Sequence, residues 1–218
     1  GDALVAATYD YVEAEGTRVG GLCLLHANAE TIAATLELRG GYALAPRGSQ
    51  LAVATADGRV ALVDVAETLT ASTVSEPKGH LFTDVVWDGP DALIVAEGDS
   101  GRVSRWRAAD GLVESQSWDA HAYAPGCPAE VWCVGRDPRT GLYVSGADDG
   151  LLKGWDARSP KPALSLRHGA GVTAVLCDDD AVATGSYDES VRLWDLRAPA
   201  APTASLAVGG GAYALARD

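Results

Sequence analysis

A histidine, a hydroxyl and a carboxylate recur together in the second half of this chain: His121, Ser145 and Asp149, then His168, Thr184 and Asp188. Such a trio suggests nucleophilic acyl chemistry, in which an imidazole takes a proton from an alcohol and an acid orients the imidazole. The spacing argues for another role. Six residues beyond each Asp stands a Trp (Trp155, Trp194), and the two sets lie 39 positions apart. A catalytic trio has no reason to occur twice with a tryptophan in train. A repeated architecture that buries polar turns must satisfy the same groups in every copy, since each orphaned donor or acceptor costs about 1–3 kcal/mol. No G-x-S-x-G elbow accompanies either set. Both are therefore expected to be complete structural tetrads: His121, Ser145, Asp149, Trp155 and His168, Thr184, Asp188, Trp194.

The elements that carry them read as strand, tight turn, strand. Leu142–Arg158 can be laid over Ala181–Arg197 almost letter for letter. Fainter copies precede them at Gly101–Trp106, at Gly58–Asp64, where Val63 stands in the Trp place, and at Gly20–His26 after a first strand over Ala3–Thr8. The spacing is near the roughly 40–45 residue period of a four-stranded blade. Short alternating or β-branched runs between Gly, Asp, Pro and Ser turns predict an all-β chain. Five blade-like units follow, about 1–35, 36–78, 79–119, 120–166 and 167–208, with 209–218 as the start of another. His121–Ala129, holding Pro125, Gly126 and Pro128, reads as a loop. A ring of blades must close to hide its sheet edges, so the chain is expected to be part of a longer propeller of seven blades.

Composition narrows the function. Among 218 residues, 17 Lys and Arg stand against 30 Asp and Glu, a net charge of −13. Nucleic acid and anionic membrane surfaces are thereby disfavoured as partners. Cys23, Cys127, Cys133 and Cys177 form no C-x-x-C pair, so buried free thiols are expected, with no disulfide, metal or other cofactor. No apolar run approaches a membrane span and no leader is evident, although the chain has no Met, as expected if its true N-terminus lies elsewhere.

The His, Ser/Thr, Asp and Trp positions are those of WD-repeat blades. The lettering of Ser145–Arg158, Arg167–His168, Gly171–Thr173, Ala183–Glu189, Leu193–Asp195 and Gly209–Gly211, with Glu130–Trp132, resembles the WD-repeat family of diphthamide biosynthesis over about the last 100 residues. The resemblance implies a WD40 β-propeller and a cytoplasmic diphthine methyl ester hydrolase acting on the modified histidine of translation elongation factor 2. It carries no residue assignment. For a substrate bearing a trimethylammonium, aromatic faces beside carboxylates are the natural recognition chemistry. The turn between second and third strands and the start of each first strand face one end of a blade. One position before the turn Asp stand Ala56, Asp99, Asp148 and Tyr187; near first strands stand Asp84, Glu130, Trp132 and Tyr213. Tyr187 and Trp132 are expected to flank the cation, with Asp99 and Tyr213 on the same rim. Asp148 or Glu130 would balance its charge or act as base to water. Backbone amides of Gly209–Gly211 are candidates for an oxyanion site, and His26, at a strand end, for a solvated residue. In the alternative reading the chain is a non-catalytic scaffold. Trp155-Asp156-Ala157-Arg158 and Trp194-Asp195-Leu196-Arg197 fit the W-D-x-R pattern of cullin-ligase substrate receptors, where Arg meets a ubiquitin-ligase adaptor.

Overall fold

The computed structural model describes residues 3–14, 16–26, 31–109 and 111–216. Among them there is no α-helix, only a 3-10 turn at Gly98–Ser100. Among the described residues no helix is long and apolar enough to cross a membrane. The chain is all-β, and its sheets are the antiparallel meanders of WD-type blades. It divides into two compact units, residues 1–95 with 106–114 and residues 96–105 with 115–218. The division runs through the third large sheet.

The first unit holds a three-stranded sheet, β1 (Ala3–Val12), β2 (Thr17–His26) and β3 (Ile32–Leu38). It also holds a four-stranded sheet, β4 (Gly41–Arg47), β5 (Gln50–Thr55), β6 (Val60–Val65) and β7 (Leu69–Val74). The side chain of His26 lies outside the described residues. Leu22 and Leu24 from β2 pack with Leu51, Val53, Ala61 and Val63 of the next sheet. Strand β5 is buried from Leu51 to Thr55, which is why it reads as a continuous apolar run and not as an alternation. In the turn after β5, Thr55 Oγ1 donates to Asp57 Oδ1 at 2.7 Å and accepts the Arg59 amide at 2.9 Å.

The third large sheet comprises β8 (Phe82–Trp87), β9 (Ala92–Glu97), β10 (Arg102–Arg107) and β11 (Val113–Asp119). The second unit then contains β14 (Val131–Arg136), β15 (Tyr143–Ala147), β16 (Leu151–Trp155) and β17 (Pro162–Arg167), the fourth large sheet in chain order. The fifth is β18 (Val172–Cys177), β19 (Val182–Ser186), β20 (Ser190–Trp194) and β21 (Ala204–Ala207). Their common core is Cys133, Val144, Leu152, Leu166, Val172, Val182, Trp194 and Leu196. Residues 211–216 carry no strand, but Ala212 lies along the fifth sheet, its carbonyl accepting Thr173 Oγ1 at 2.5 Å.

Two expectations are corrected here. The segment before β14 is not a plain loop: β12 (Ala122–Ala124) and β13 (Cys127–Pro128) pair as a small hairpin. Pro125-Gly126 forms the tight turn that lets the flanks meet. The cysteines are all free, but they are not all buried, for Cys127 is exposed on this hairpin.

Candidate functional site

The first tetrad is complete. Trp155 Nε1 donates to Ser145 Oγ at 2.8 Å, and Ser145 Oγ lies 2.8 Å from His121 Nε2. His121 Nδ1 lies 2.9 Å from Asp149 Oδ1. With a neutral imidazole the chain of donors runs Trp155 to Ser145 to His121 to Asp149. Burial lowers the His121 pKa below its ordinary value, and the Asp149 hydrogen bond and charge offset this only in part. Burial alone would raise the Asp149 carboxyl, but His121, the Leu151 amide and Lys153 outweigh it and hold it below its ordinary value. The distances are those of a nucleophilic triad, yet Ser145 is 0% exposed and its oxygen already accepts the indole N–H. The hydroxyl is closed to solvent and engaged within the blade's own hydrogen-bond series.

The second set departs from expectation. Thr184 Oγ1 accepts Trp194 Nε1 at 2.9 Å and lies 2.9 Å from His168 Nε2. Asp188 does not complete the series. Its Oδ2 accepts the Gly169 amide at 2.7 Å and pairs with Arg192 at 2.8 Å, and His168 Nδ1 is buried without a partner. The Arg192 guanidinium, four residues beyond the Asp, lies beside that same Asp188 oxygen. Burial, seconded by the Arg192 charge, pulls the His168 pKa down to about 4.

Beside the buried tetrads lies an accessible row. Trp132 Nε1 donates to Asp148 Oδ1 at 2.7 Å. The Asp148 amide donates to the Glu130 carbonyl at 3.0 Å, so the start of β14 is tied to the turn after β15. The pairing of β14 with β15 shifts register between Val131 and Cys133, and this bulge turns Trp132 toward the residue that follows Ala147. On the fifth sheet the Tyr187 amide donates to the Gly171 carbonyl at 2.9 Å. The rings of Tyr187 and Tyr213 meet edge to face, centroids 5.4 Å apart, and both tyrosines are exposed. The Tyr187 phenol pKa is raised by burial, then by Tyr213, Asp148 and Glu130. Trp132, Asp148, Glu130, Tyr187 and Tyr213 are thus one neighbourhood. Asp99 stands in the 3-10 turn Gly98–Ser100.

Tyr123 was not anticipated. It sits on β12, exposed, and its phenol pKa is raised by partial burial, then by the Asp148 charge and a hydrogen bond to Asp148, then by Glu130 and Asp149. The signal in the sequence was the Pro-Gly turn, which makes a hairpin of its surroundings. Gly209 and Gly210 are exposed, whereas Gly211 packs against the two tyrosines. Elsewhere Arg158 and Arg197 each fold back on their own motif's Asp, at 2.6 Å and 2.7 Å. Asp156 is held at about 2 by its hydrogen bonds to Arg158.

The family "WD domain, G-beta repeat" matches residues 160–195. "Diphthine methyltransferase" of Homo sapiens is 38% identical over 108 residues, covering 47% of this chain and 23% of that protein. Its Mus musculus counterpart is 35% identical over 131 residues, 56% of this chain and 26% of the relative. The "Diphthine methyltransferase homolog" of Dictyostelium discoideum is 25% identical over 167 residues, 67% and 44% respectively. The matched stretch therefore spans about a quarter of the mammalian relatives and less than half of the third. By its repeat and its relatives, this chain is a WD-repeat protein related in sequence to proteins named diphthine methyltransferase.

Proposed function

We propose that the protein acts in diphthamide biosynthesis, as a hydrolase that removes the methyl ester of diphthine on translation elongation factor 2. The relatives' names support the pathway. The observation that carries the site is the Trp132–Asp148 hydrogen bond beside the Tyr187 ring. Two carboxylates and several exposed aromatic rings meet there, the chemistry that receives a trimethylammonium. One Asp148 oxygen is engaged by an indole, so its charge is oriented and suited to balance the cation. Glu130, at the start of β14, is the base in this reading. It takes a proton from water as the oxygen attacks the ester carbonyl; the tetrahedral intermediate then collapses with cleavage of the bond to the methoxy oxygen, to which Glu130 returns the proton, so that methanol leaves and the acid remains as product. Trp132, Tyr187 and Tyr213 supply the aromatic faces.

The relatives carry the word methyltransferase, and the two chemistries separate in one assay. A hydrolase releases methanol from methylated elongation factor 2 with no methyl donor added, and Tyr187→Ala and Asp148→Asn in the full-length protein reduce turnover about tenfold or more each. Near wild-type turnover in both variants sinks the site, and a requirement for a methyl donor sinks the hydrolase. The scaffold reading gives a different result in that experiment: co-purification with an adaptor that contacts Arg158 or Arg197, and no turnover.

A further inference from the structure

The Asp148 carboxylate and the Tyr187 ring converge on one residue that carries no side chain. Gly171 is buried and immediately precedes β18. A Cβ at this position would lie 2.7 Å from Asp148 Oδ1, 3.3 Å from Asp148 Cα and 3.1 Å from Tyr187 Cδ2. Asp148 Oδ1 is also the oxygen that accepts the Trp132 indole N–H at 2.7 Å. The other edge of the Tyr187 ring is backed in the same way: a Cβ on Gly211 would stand 3.2 Å from Tyr187 Cδ1 and 3.3 Å from Tyr213 Cε2. The ring is therefore bracketed by two bare backbone positions, and the nearer of them also seats the carboxylate. The backbone of Gly171 lies outside the left-handed region that strains other residues. Alanine there would meet only a steric obstacle, and the end of the short Asp148 side chain would yield before the sheet did.

We infer that Gly171 is a positioning residue of the cation site, and that its missing side chain is what lets charge and aromatic face meet a methylated ammonium at the same point. This rests on the site proposed above and adds its selectivity. An ammonium ion carrying methyl groups gains from the ring and the carboxylate together, whereas the small, strongly hydrated parent ion gains little from the ring. Pushing the carboxylate aside removes the joint contact and breaks its bond to Trp132.

The test uses the full-length protein and tetramethylammonium chloride, with ammonium chloride in parallel, following the Trp132 indole N–H resonance, which is assigned by its loss in Trp132→Phe. Wild type is expected to respond to tetramethylammonium in preference to ammonium. Gly171→Ala should shift the free-state indole resonance and weaken the tetramethylammonium response about tenfold, as expected for losing a contact of this kind. Should Gly171→Ala fail to fold, the wild type still decides: methyl protons of the bound probe should show Overhauser contacts to both the Gly171 Hα protons and the Tyr187 ring. Unchanged affinity in Gly171→Ala, contacts to Tyr187 without Gly171, or no binding by wild type overturns the inference. The probe has no ester, so binding without methanol release from the protein substrate would sink the hydrolase and leave the role of Gly171 standing. Release with an unchanged KM in Gly171→Ala would do the reverse.

Discussion

The fourth and fifth sheets carry nearly the same letters and use them differently. In the fourth, Asp149 reaches His121, and Lys153, four residues on, spends its best hydrogen bond on the Ala120 carbonyl at 2.7 Å, staying 3.6 Å from the carboxylate. In the fifth, the equivalent Arg192 pairs with Asp188 at 2.8 Å and His168 Nδ1 is left bare. The turns differ too. Gly150 follows Asp149 at φ 73°, whereas Glu189 follows Asp188 at φ 63°, a conformation that costs a residue with a side chain about 1 kcal/mol. A shared motif fixes which groups are present. The residue beside it decides which of them meet.

The largest expected effect tests this directly. Ser145→Ala orphans the indole of Trp155 and a nitrogen of His121, two buried groups, and should cost about 2–4 kcal/mol by chemical denaturation. Asp149→Ala, which strips His121 of its partner, should cost about 2 kcal/mol. Asp188→Ala, whose partners lie nearer solvent, should cost under about 1 kcal/mol. Equal losses for the two aspartates would dissolve the distinction between the sheets. Next in size, Glu189→Gly should raise stability by about 1 kcal/mol through relief of the left-handed turn, read as a higher midpoint of unfolding. A lower midpoint would mean that the glutamate side chain contributes more than its backbone costs.

A further effect is in pH. His168 in the fold titrates at about 4 against an ordinary 6.5. The unfolded chain therefore takes up the proton first, so the contribution of this neutral histidine is full above pH 6.5 and is lost as pH falls toward 4. Arg192→Ala should raise the His168 pKa, both by removing a cation and by freeing Asp188 to turn toward Nδ1. Titration of the His168 Cε1 proton by NMR measures it, and an unmoved midpoint would show that Arg192 is not what holds the pair apart.

The all-β repeat was legible because strand, turn and Trp recur at blade spacing, and the first tetrad because Lys153, its neighbouring cation, hydrogen-bonds the Ala120 carbonyl and leaves Asp149 to His121. The second was misread as complete: Lys153 and Arg192 look equivalent as letters, but Lys153 stays 3.6 Å from its carboxylate whereas Arg192 lies 2.8 Å from its own. Trp132 and Asp148 stood out separately in the sequence. Their hydrogen bond depends on a bulge at Val131–Cys133, which no periodicity announces. Tyr123 was hidden because Pro and Gly suggested an end to pairing when they were making its turn. Asp99 shares that column of the repeat but stands in the 3-10 turn Gly98–Ser100, a conformation that the column does not specify.

The small hairpin before β14 also carries the most exposed thiol of the protein. Cys127 is exposed, Cys23 and Cys177 are half-buried and Cys133 is buried, and burial raises the Cys177 thiol pKa to about 12. A thiol-selective dye or spin label is thereby directed to the hairpin that bears Tyr123, at the border of the aromatic row, where occupancy of the neighbourhood can be watched without altering any residue that forms it.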